Sequence, residues 1–393
     1  MRPRLLAQAA LVAAALSFYG LVLVQSAGRH QDFDAYLSAA RDVLQGHSLY
    51  AAFLHHPFPD ATLRPAYIYP PAFALLMAPF ALLPASAGAI VWLVGCQAAL
   101  LVSLLLLFRA ERPASWAATA VLCLTFTFYP LWVDAIQGQA NLPILLLVVA
   151  GIAGTVRGRP AWAAALGVAA ALKLTPLLLI AWLLLERRFR EAAWMIGGFA
   201  LVTAAGALLR FDDTLSFFTR VLPALATGTA FYANHSLSGL LARIFVPNAY
   251  TDVWFALPYE SVLAAILAVL LCWFWVWRGR RGAPLNRALA FLPLLPLLSA
   301  GTWPHHLVIL LPLIWVAVFS VARRGWPLAP TMVVALITLA LSLLPRWQVG
   351  PGFGEAGFRS AQTTDALVFL VANSLSFGML LLFFTAPWLL RSR

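Results

Sequence analysis

Residues 157–190 read RGRPAWAAALGVAAALKLTPLLLIAWLLLERRFR, and this segment decides the topology of the chain. Its apolar stretch, 161–185, is interrupted at Lys173 and flanked by arginines on both sides. Arginine-rich flanks are typical of the cytoplasmic side of a membrane, and a single span cannot return to the side on which it began. The segment therefore predicts a hairpin of two short helices, 161–172 and 174–185, with Lys173 near its tip.

The rest of the chain is equally apolar. Of its 393 residues, 63% are hydrophobic and 10% are charged, whereas a soluble chain is about 45–50% apolar and about 25% charged. These proportions argue against a soluble enzyme or a disordered protein. They predict an all-α polytopic membrane protein of about 12 helices, folded as one integral membrane domain over 1–393. Besides the hairpin, the runs that cross or nearly cross a hydrocarbon core about 30 Å thick are 5–26, 86–108, 115–133, 142–156, 192–209, 259–277, 287–302, 305–322, 327–345 and 366–390.

The distribution of charge predicts the orientation of these helices. The net charge is +12. With both termini in the cytoplasm, the inner segments hold 17 of the 26 Lys and Arg residues but three of the 14 acidic residues. The positive charge is therefore a positive-inside signal, and no nucleic-acid partner is expected. The polar residues are concentrated outside, chiefly in a first outer loop at 27–85 and a second at 210–258.

Two carboxylates, Asp32 and Asp34, follow the first span directly. Partial desolvation at a membrane rim makes a carboxylate more basic, which suits a group that takes a proton from a hydroxyl. Asp34 stands where the N-cap of a helix over 34–44 belongs, so capping and catalysis are equally open for it. Asp32 has no predicted helix to cap, and it is the better candidate for a general base.

Aromatic and amide side chains follow on the same outer side. Tyr67 and Tyr69 lie on one face of a segment expected to be extended, where their rings can stack on a sugar or anchor the chain at the interface. Amides and hydroxyls suit the hydroxyls of a sugar, although each alone is also typical of loop capping. The candidates for sugar or acceptor binding are Tyr36, Tyr67, Tyr69, Gln139, Asn141, Asn234 and His235.

Several cationic side chains suit a phosphate. Lys173 is the only lysine in the chain, and an ammonium within an apolar hairpin is costly unless it is paired or hydrated; snorkelling to the interface is the alternative. Arg243 also suits a phosphate or a carboxylate. His305 and His306 can contact a phosphate or act as acid and base, or form an interfacial pair with Trp303. The spacing of His and Cys gives no metal-ligand pattern, so no metal or other cofactor is expected.

Taken in order, these segments resemble glycosyltransferase family 87, the polyprenyl-phosphate-mannose-dependent mannosyltransferases of the membrane-embedded GT-C class. The second-loop motif of that family usually reads Asn-Gln-Ser, and His235 stands here in place of the glutamine. The segments that carry the resemblance are Asp32-Phe33-Asp34-Ala35-Tyr36 with Gly46 and Tyr50 after it, Tyr69-Pro70-Pro71, Gly138-Gln139-Ala140-Asn141, Lys173-Leu174-Thr175-Pro176, Asn234-His235-Ser236 and Trp303-Pro304-His305-His306.

The resemblance implies a GT-C fold and an inverting transfer of a hexose, such as mannose, from a polyprenyl-phosphate sugar to an acceptor hydroxyl. It implies an outer-loop aspartate as general base, matched by Asp32, and a histidine near the donor phosphate, matched by His305 or His306. The acceptor is expected to be a glycolipid, a glycan or a protein, and the site to face the extracytoplasmic side of a bacterial-type plasma (inner) membrane. Transfer of another sugar, such as arabinose, fits the same residues. A transporter or flippase of lipid-linked sugars and a scaffold without chemistry are the alternative classes.

Overall fold

The structure is a computed structural model that describes residues 3–26, 31–55, 66–248, 250–251, 253–279, 282–349 and 366–391. The described chain is helical and contains no strand. Four of the arginines assigned to the cytoplasmic side lie outside the described residues, as do parts of the first outer loop: these are Arg2, Arg280, Arg281 and Arg393, and residues 27–30 and 56–65.

The chain contacts itself in two compact units. One, here called the aspartate unit, consists of Gln25–Leu106 and Ala135–Thr227. The other, the histidine unit, consists of Met1–Val24, Leu107–Asp134 and Gly228–Arg393. The expected single domain over 1–393 stays a prediction.

Helices long and apolar enough to cross a membrane occur throughout the chain. Within the described ranges there are six of them, or seven if two helices bent by 47° count as one span. Their length and composition confirm an integral, polytopic, all-α membrane protein. They are Pro3–Ser26, Ala85–Glu111, Phe189–Leu209, Glu260–Gly279, Pro304–Arg323 and Leu328–Arg346, with Ser115–Phe126 and Tyr129–Gln137 as the bent pair.

The run at 287–302 does not form the single helix predicted for it. It divides into Pro284–Phe291 and Leu294–Leu297, because Pro293 and Pro296 lack the amide hydrogen that a continuous helix requires. The run at 366–390 also divides. The remaining helices are Gln31–Gln45, Ala51–His55 and Pro71–Ala81 in the first outer loop, Phe211–Ser216, Phe217–Val221, Leu222–Ala226 and Leu237–Phe245 in the second, the apolar Asn141–Val156, and Ala366–Ala372 and Ser374–Leu389 near the C-terminus.

The contacts of the predicted hairpin in the aspartate unit confirm that it reverses. Its first arm begins beside the end of the Asn141–Val156 helix, where Trp162 lies against Gly154. Its second arm ends at the same place, since Arg188 Nη1 donates a hydrogen bond to the Thr155 carbonyl at 3.2 Å. Because both ends of the segment lie at one end of the same helix, the chain between them must turn back.

The reversal occurs at Lys173. The first arm, Pro160–Leu172, ends there in an extended backbone (φ −149°, ψ 116°), and the second arm runs over Thr175–Leu185. The Lys173 ammonium contacts Asn141, which begins the 16-residue Asn141–Val156 helix. At a rise of 1.5 Å per residue, that helix separates the hairpin tip from the arginine-rich flanks by about 24 Å.

Small residues fix the first arm against the Phe189–Leu209 helix. A Cβ atom on Gly167 would collide with the backbone of Met195 and Phe199, and one on Gly198 would collide with the backbone of Ala164. Contacts between small residues allow apolar helices to approach closely in a bilayer, where the hydrophobic effect does not drive their association. The arm that ends at Lys173 is thus held by backbone-to-backbone packing.

Candidate active site

The helix that carries Asp32 begins earlier than predicted. It spans Gln31–Gln45, so Asp32 and Asp34 both lie in its first turn, and the expectation that Asp32 precedes the helix is wrong. Both carboxylates lie near the positive end of the helix dipole. Asp34 is exposed, whereas Asp32 is half-buried on the face that carries Tyr36 one turn later. The two candidates for the general base therefore lie on different faces of one helix, and Asp32 is the one on the face of Tyr36.

Gln139 lies at the centre of a hydrogen-bonded network around Asp32. Its amide Nε2 donates to Asp32 Oδ2 at 2.6 Å. Its Oε1 accepts from the hydroxyls of Tyr36 and Tyr69, each at 3.0 Å, and the Tyr36 hydroxyl is also 3.0 Å from that of Tyr69. A turn brings Gln139 to this position, because Gly138 adopts a positive φ of 67° and Trp92 Nε1 donates to its carbonyl at 2.8 Å.

Lys173 joins the same network from the hairpin tip. Its ammonium donates to Asn141 Oδ1 at 2.6 Å and to the Tyr69 hydroxyl at 3.3 Å. It also lies over the Tyr69 ring, 5.3 Å from the centroid, where the ring quadrupole attracts a cation. Asp32 and Lys173, which lie far apart in the sequence, are therefore linked through Gln139 and Tyr69.

The surroundings of Asp32 act on its basicity in opposite directions. Burial raises the pKa of the Asp32 carboxyl above its usual range, while the hydrogen bond from Gln139 and the positive charge of Lys173 lower it. Burial is the largest of these effects. The result is a carboxylate that is more basic than one in water and is held in one orientation, which is what proton transfer from a hydroxyl requires.

Tyr67 and Tyr69 lie side by side, with ring centroids 6.0 Å apart. Both are buried, so the alternative of interfacial anchors finds no support. The Tyr67 hydroxyl donates to the Pro70 carbonyl at 2.7 Å. Tyr50, to which sequence reasoning gave no role, donates to the Tyr69 carbonyl at 2.7 Å and stacks on Tyr67. Its only signal in the sequence is its place after Gly46, within the segment that resembles family 87.

Asn234 organises the second outer loop within the histidine unit. Its Nδ2 donates to the carbonyls of Thr229 and Ala300 at 2.8 and 3.0 Å. Its Oδ1 accepts from the amides of Ser236 and Thr302 at 3.2 and 2.8 Å. These four bonds use the full hydrogen-bonding capacity of the side chain. Asn234 therefore stabilises the conformation of the loop in this structure.

Arg243 also stabilises the second outer loop. The side chain is fully buried, and its Nε and Nη2 donate to Asn373 Oδ1 at 3.2 and 2.8 Å. Its Nη1 donates to the carbonyls of Phe231 and Asn234 at 3.0 and 2.6 Å. Asn373 was not singled out in the sequence, where an asparagine in an apolar run gives little signal. The predicted contact of Arg243 with a donor phosphate finds no support in these bonds.

His235 is 1% exposed, between Asn234 and the start of the Leu237–Phe245 helix. Its backbone amide donates to the Thr302 carbonyl at 2.7 Å, and its carbonyl accepts from Ser376 Oγ at 3.0 Å. Neither ring nitrogen has a hydrogen-bond partner among the described residues. Burial, with a smaller contribution from the charge of Arg243, lowers the pKa of His235 to about 3, so the ring is neutral at physiological pH.

His305 and His306 begin a span of the histidine unit together. Their rings meet edge to face with centroids 4.5 Å apart. His305 is buried and His306 is half-buried. His306 Nδ1 accepts from the backbone amide of Trp303 at 3.3 Å, and the Trp303 ring lies 5.6 Å from that of Phe231. A place for either histidine near a phosphate stays a prediction.

The structure joins six of the predicted residues in one network within the aspartate unit. Among the described residues, no group of three or more His, Cys, Asp and Glu side chains comes together in a way that could hold a metal ion. The candidate site is therefore a network of one carboxylate, one ammonium and the neutral groups between them. Its members are Asp32, Tyr36, Tyr69, Gln139, Asn141 and Lys173.

Fold and site together define a polytopic membrane protein with a carboxylate–lysine network at the end of an apolar hairpin. The model of glycosyltransferase family 87 matches residues 67–300, and the chain belongs to this family. It is a membrane glycosyltransferase.

The relatives of this chain are named as sugar transferases. The chain is 30% identical to a polyprenol-phosphate-mannose-dependent alpha-(1-2)-phosphatidylinositol mannoside mannosyltransferase of Mycobacterium tuberculosis, over 80% of this chain and 75% of the relative. It is 29% identical to an alpha-(1->3)-arabinofuranosyltransferase of the same species, over 65% of this chain and 63% of the relative. The apo crystal structure of ArnT from Cupriavidus metallidurans aligns with 96% of this chain and 76% of that chain, at 17% identity and a TM-score of 0.36.

Proposed function

We propose that this glycosyltransferase moves mannose from a polyprenyl-phosphate sugar to an acceptor hydroxyl, with Asp32 as the general base. The observation that carries the proposal is the chain of hydrogen bonds from Asp32 through Gln139 and Tyr69 to Lys173. It joins a proton acceptor to a cation, and these are the two groups that a displacement at a phosphate-bearing sugar carbon needs. The names of the mannosyltransferase relatives support the choice of donor.

The proposed reaction is a single displacement. Asp32 takes the proton of the acceptor hydroxyl, whose oxygen forms a bond to the anomeric carbon as the bond from that carbon to the phosphate oxygen breaks. Attack from the side opposite the leaving group inverts the configuration. The polyprenyl phosphate leaves as a phosphate monoester, which requires charge stabilisation and no proton, and Lys173 is suited to supply it.

The position of the network supports an extracytoplasmic site. The ends of the hairpin carry Arg157 and Arg188, whereas the tip carries Lys173 beside Asn141, about 24 Å away along a 16-residue helix. Because the arginine-rich ends belong in the cytoplasm by the positive-inside rule, the tip lies towards the other face. We place the site at the outer face of a bacterial-type plasma membrane on this argument.

The acceptor is proposed to be a glycolipid. The mannosyltransferase relative is named for phosphatidylinositol mannoside, which is a glycolipid by that description. The arabinofuranosyltransferase relative supports a second candidate function, the transfer of a pentofuranose from a corresponding lipid phosphate. Supplying labelled mannose and labelled arabinose donors separately to the same preparation decides between them.

The test uses the purified full chain with radiolabelled polyprenyl-phosphate mannose and phosphatidylinositol mannoside. Asp32→Asn is expected to lower the turnover rate by roughly 10²–10⁴-fold, since it removes the proton acceptor, while donor binding is retained. Asp34→Asn, on the exposed side of the same helix turn, is the matched control and is expected to stay near the wild-type rate. Full turnover by Asp32→Asn would refute the assignment of the base. Movement of label across sealed vesicles without a new glycosidic bond would show a flippase instead.

A further inference from the structure

The side chain of Gln139 is already committed within the network. A glutamine carbonyl oxygen accepts two hydrogen bonds, and Oε1 receives them from Tyr36 and Tyr69. One of its two amide hydrogens goes to Asp32. These bonds, all to protein groups, leave little capacity for a sugar hydroxyl, which is the partner that the sequence suggested for this residue.

The backbone of Gln139 is equally constrained. The residue is 4% exposed, and it follows Gly138, whose positive φ would strain any other residue type. Trp92 Nε1 holds the Gly138 carbonyl at 2.8 Å, and Cys96 Sγ contacts the Gln139 carbonyl at 3.6 Å. The amide is therefore presented to Asp32 from a fixed, buried turn.

We propose that Gln139 is a positioning residue that sets the orientation and the basicity of the Asp32 carboxylate. Its amide holds Oδ2, which leaves Oδ1 to receive the proton of the acceptor hydroxyl. This inference rests on the proposed function, and it replaces the sugar-binding role that the sequence suggested for Gln139 with one exerted through another residue.

The other groups that face Asp32 do not duplicate this role. The hairpin contributes the positive charge of Lys173, which acts on Asp32 through space. The same helix contributes the Tyr36 phenol, and the segment before Pro71–Ala81 contributes that of Tyr69, both directed to Gln139 Oε1. Asp34 is exposed on another face of the helix. Among these groups, Gln139 makes the direct hydrogen bond to the carboxylate.

The decisive variant is Gln139→Glu, which keeps the shape of the side chain and can still accept from both tyrosines. It replaces the donor 2.6 Å from Asp32 Oδ2 with a second carboxylate oxygen. Two carboxylates at that distance cannot both ionise readily, so the proton is held to a higher pH. The acidic limb of the pH profile of kcat/KM is expected to move upward by about one unit or more, and activity recovers at alkaline pH.

Two further variants make the result interpretable. Gln137→Glu adds the same carboxylate two positions away, without the bond to Asp32, and it is expected to leave the limb in place. Gln139→Met removes the amide without adding charge. It is expected to move the acidic limb upward by a smaller amount, because the hydrogen bond that lowers the pKa of Asp32 is lost while the effect of burial remains. If donor binding shows that Gln139→Glu does not fold, the Gln139→Met variant alone tests the positioning role.

An unmoved acidic limb in both Gln139 variants, with a raised KM for donor or acceptor, would overturn the inference and restore a substrate-binding role. The Asp32→Asn variant is measured in the same series. If it is inactive while the Gln139 limb is unmoved, only the positioning role fails. If it is fully active, the proposed base fails first, whatever Gln139 does.

Discussion

The buried imidazole of His235 makes the stability of this protein depend on pH. In the folded chain the pKa of His235 is lowered to about 3, from an ordinary value of 6.5. Between these values the unfolded chain binds a proton that the folded chain does not, so the free energy of unfolding rises with pH and is lost on acidification. Each pH unit below 6.5 costs about 1.4 kcal/mol, and at pH 5 the loss is about 2 kcal/mol.

The test compares the wild type with His235→Gln, which places the residue usual in the family's motif at this position and removes the titrating group. Thermal unfolding of both proteins is followed in detergent at pH 7.5 and pH 5. Protonation of other groups lowers Tm in both proteins, but the wild type is expected to lose about 2 °C more than the variant. Equal losses would show that His235 is protonated in the folded protein, and would refute the argument from burial.

Two other substitutions test the hairpin and its tip. Lys173→Met removes the ammonium at similar length, and kcat/KM for the lipid-phosphate donor is expected to fall roughly 10–100-fold, as for the loss of hydrogen bonds to a charged group; an unchanged value would remove Lys173 from donor binding. Gly167→Ala places a Cβ atom against backbone atoms of the neighbouring helix and is expected to destabilise the protein by about 1–3 kcal/mol. Gly197→Ala, where a Cβ atom meets no neighbour within 4 Å, is its control, and equal loss of stability in both would contradict the packing argument.

Much of the fold was predictable because charge and hydropathy act over short stretches of chain. The arginines around 161–185 required a reversal, and the contacts of Arg188 with Thr155 and of Lys173 with Asn141 show one. The prediction of a single helix failed at 287–302. Hydropathy averaged over a window does not register the backbone hydrogen bond that each proline removes from a helix.

The candidate site was only partly predictable, since a residue type does not reveal its partners. Asn234 and Arg243 have the chemistry of ligand-binding residues, yet their polar atoms bind the carbonyls, amides and side-chain amide of their own unit. Gln139 binds Asp32 from 107 positions away, and no local pattern carries that information. The helical state of Asp32 was not predictable for a simpler reason. An aspartate at position 34 is a favoured N-cap, and nothing in the sequence marks the residues before it as helical.

The arrangement of the network explains how a base and a cation can share one site. A carboxylate in direct contact with an ammonium is stabilised in its charged form and becomes a weaker base. Here Gln139 and Tyr69 lie between Asp32 and Lys173 in the hydrogen-bonded chain, so each charge is stabilised by neutral dipoles, and the lysine acts on the aspartate only through space. Burial then dominates the pKa of Asp32, and the carboxylate keeps the basicity that accepting a proton from a hydroxyl demands.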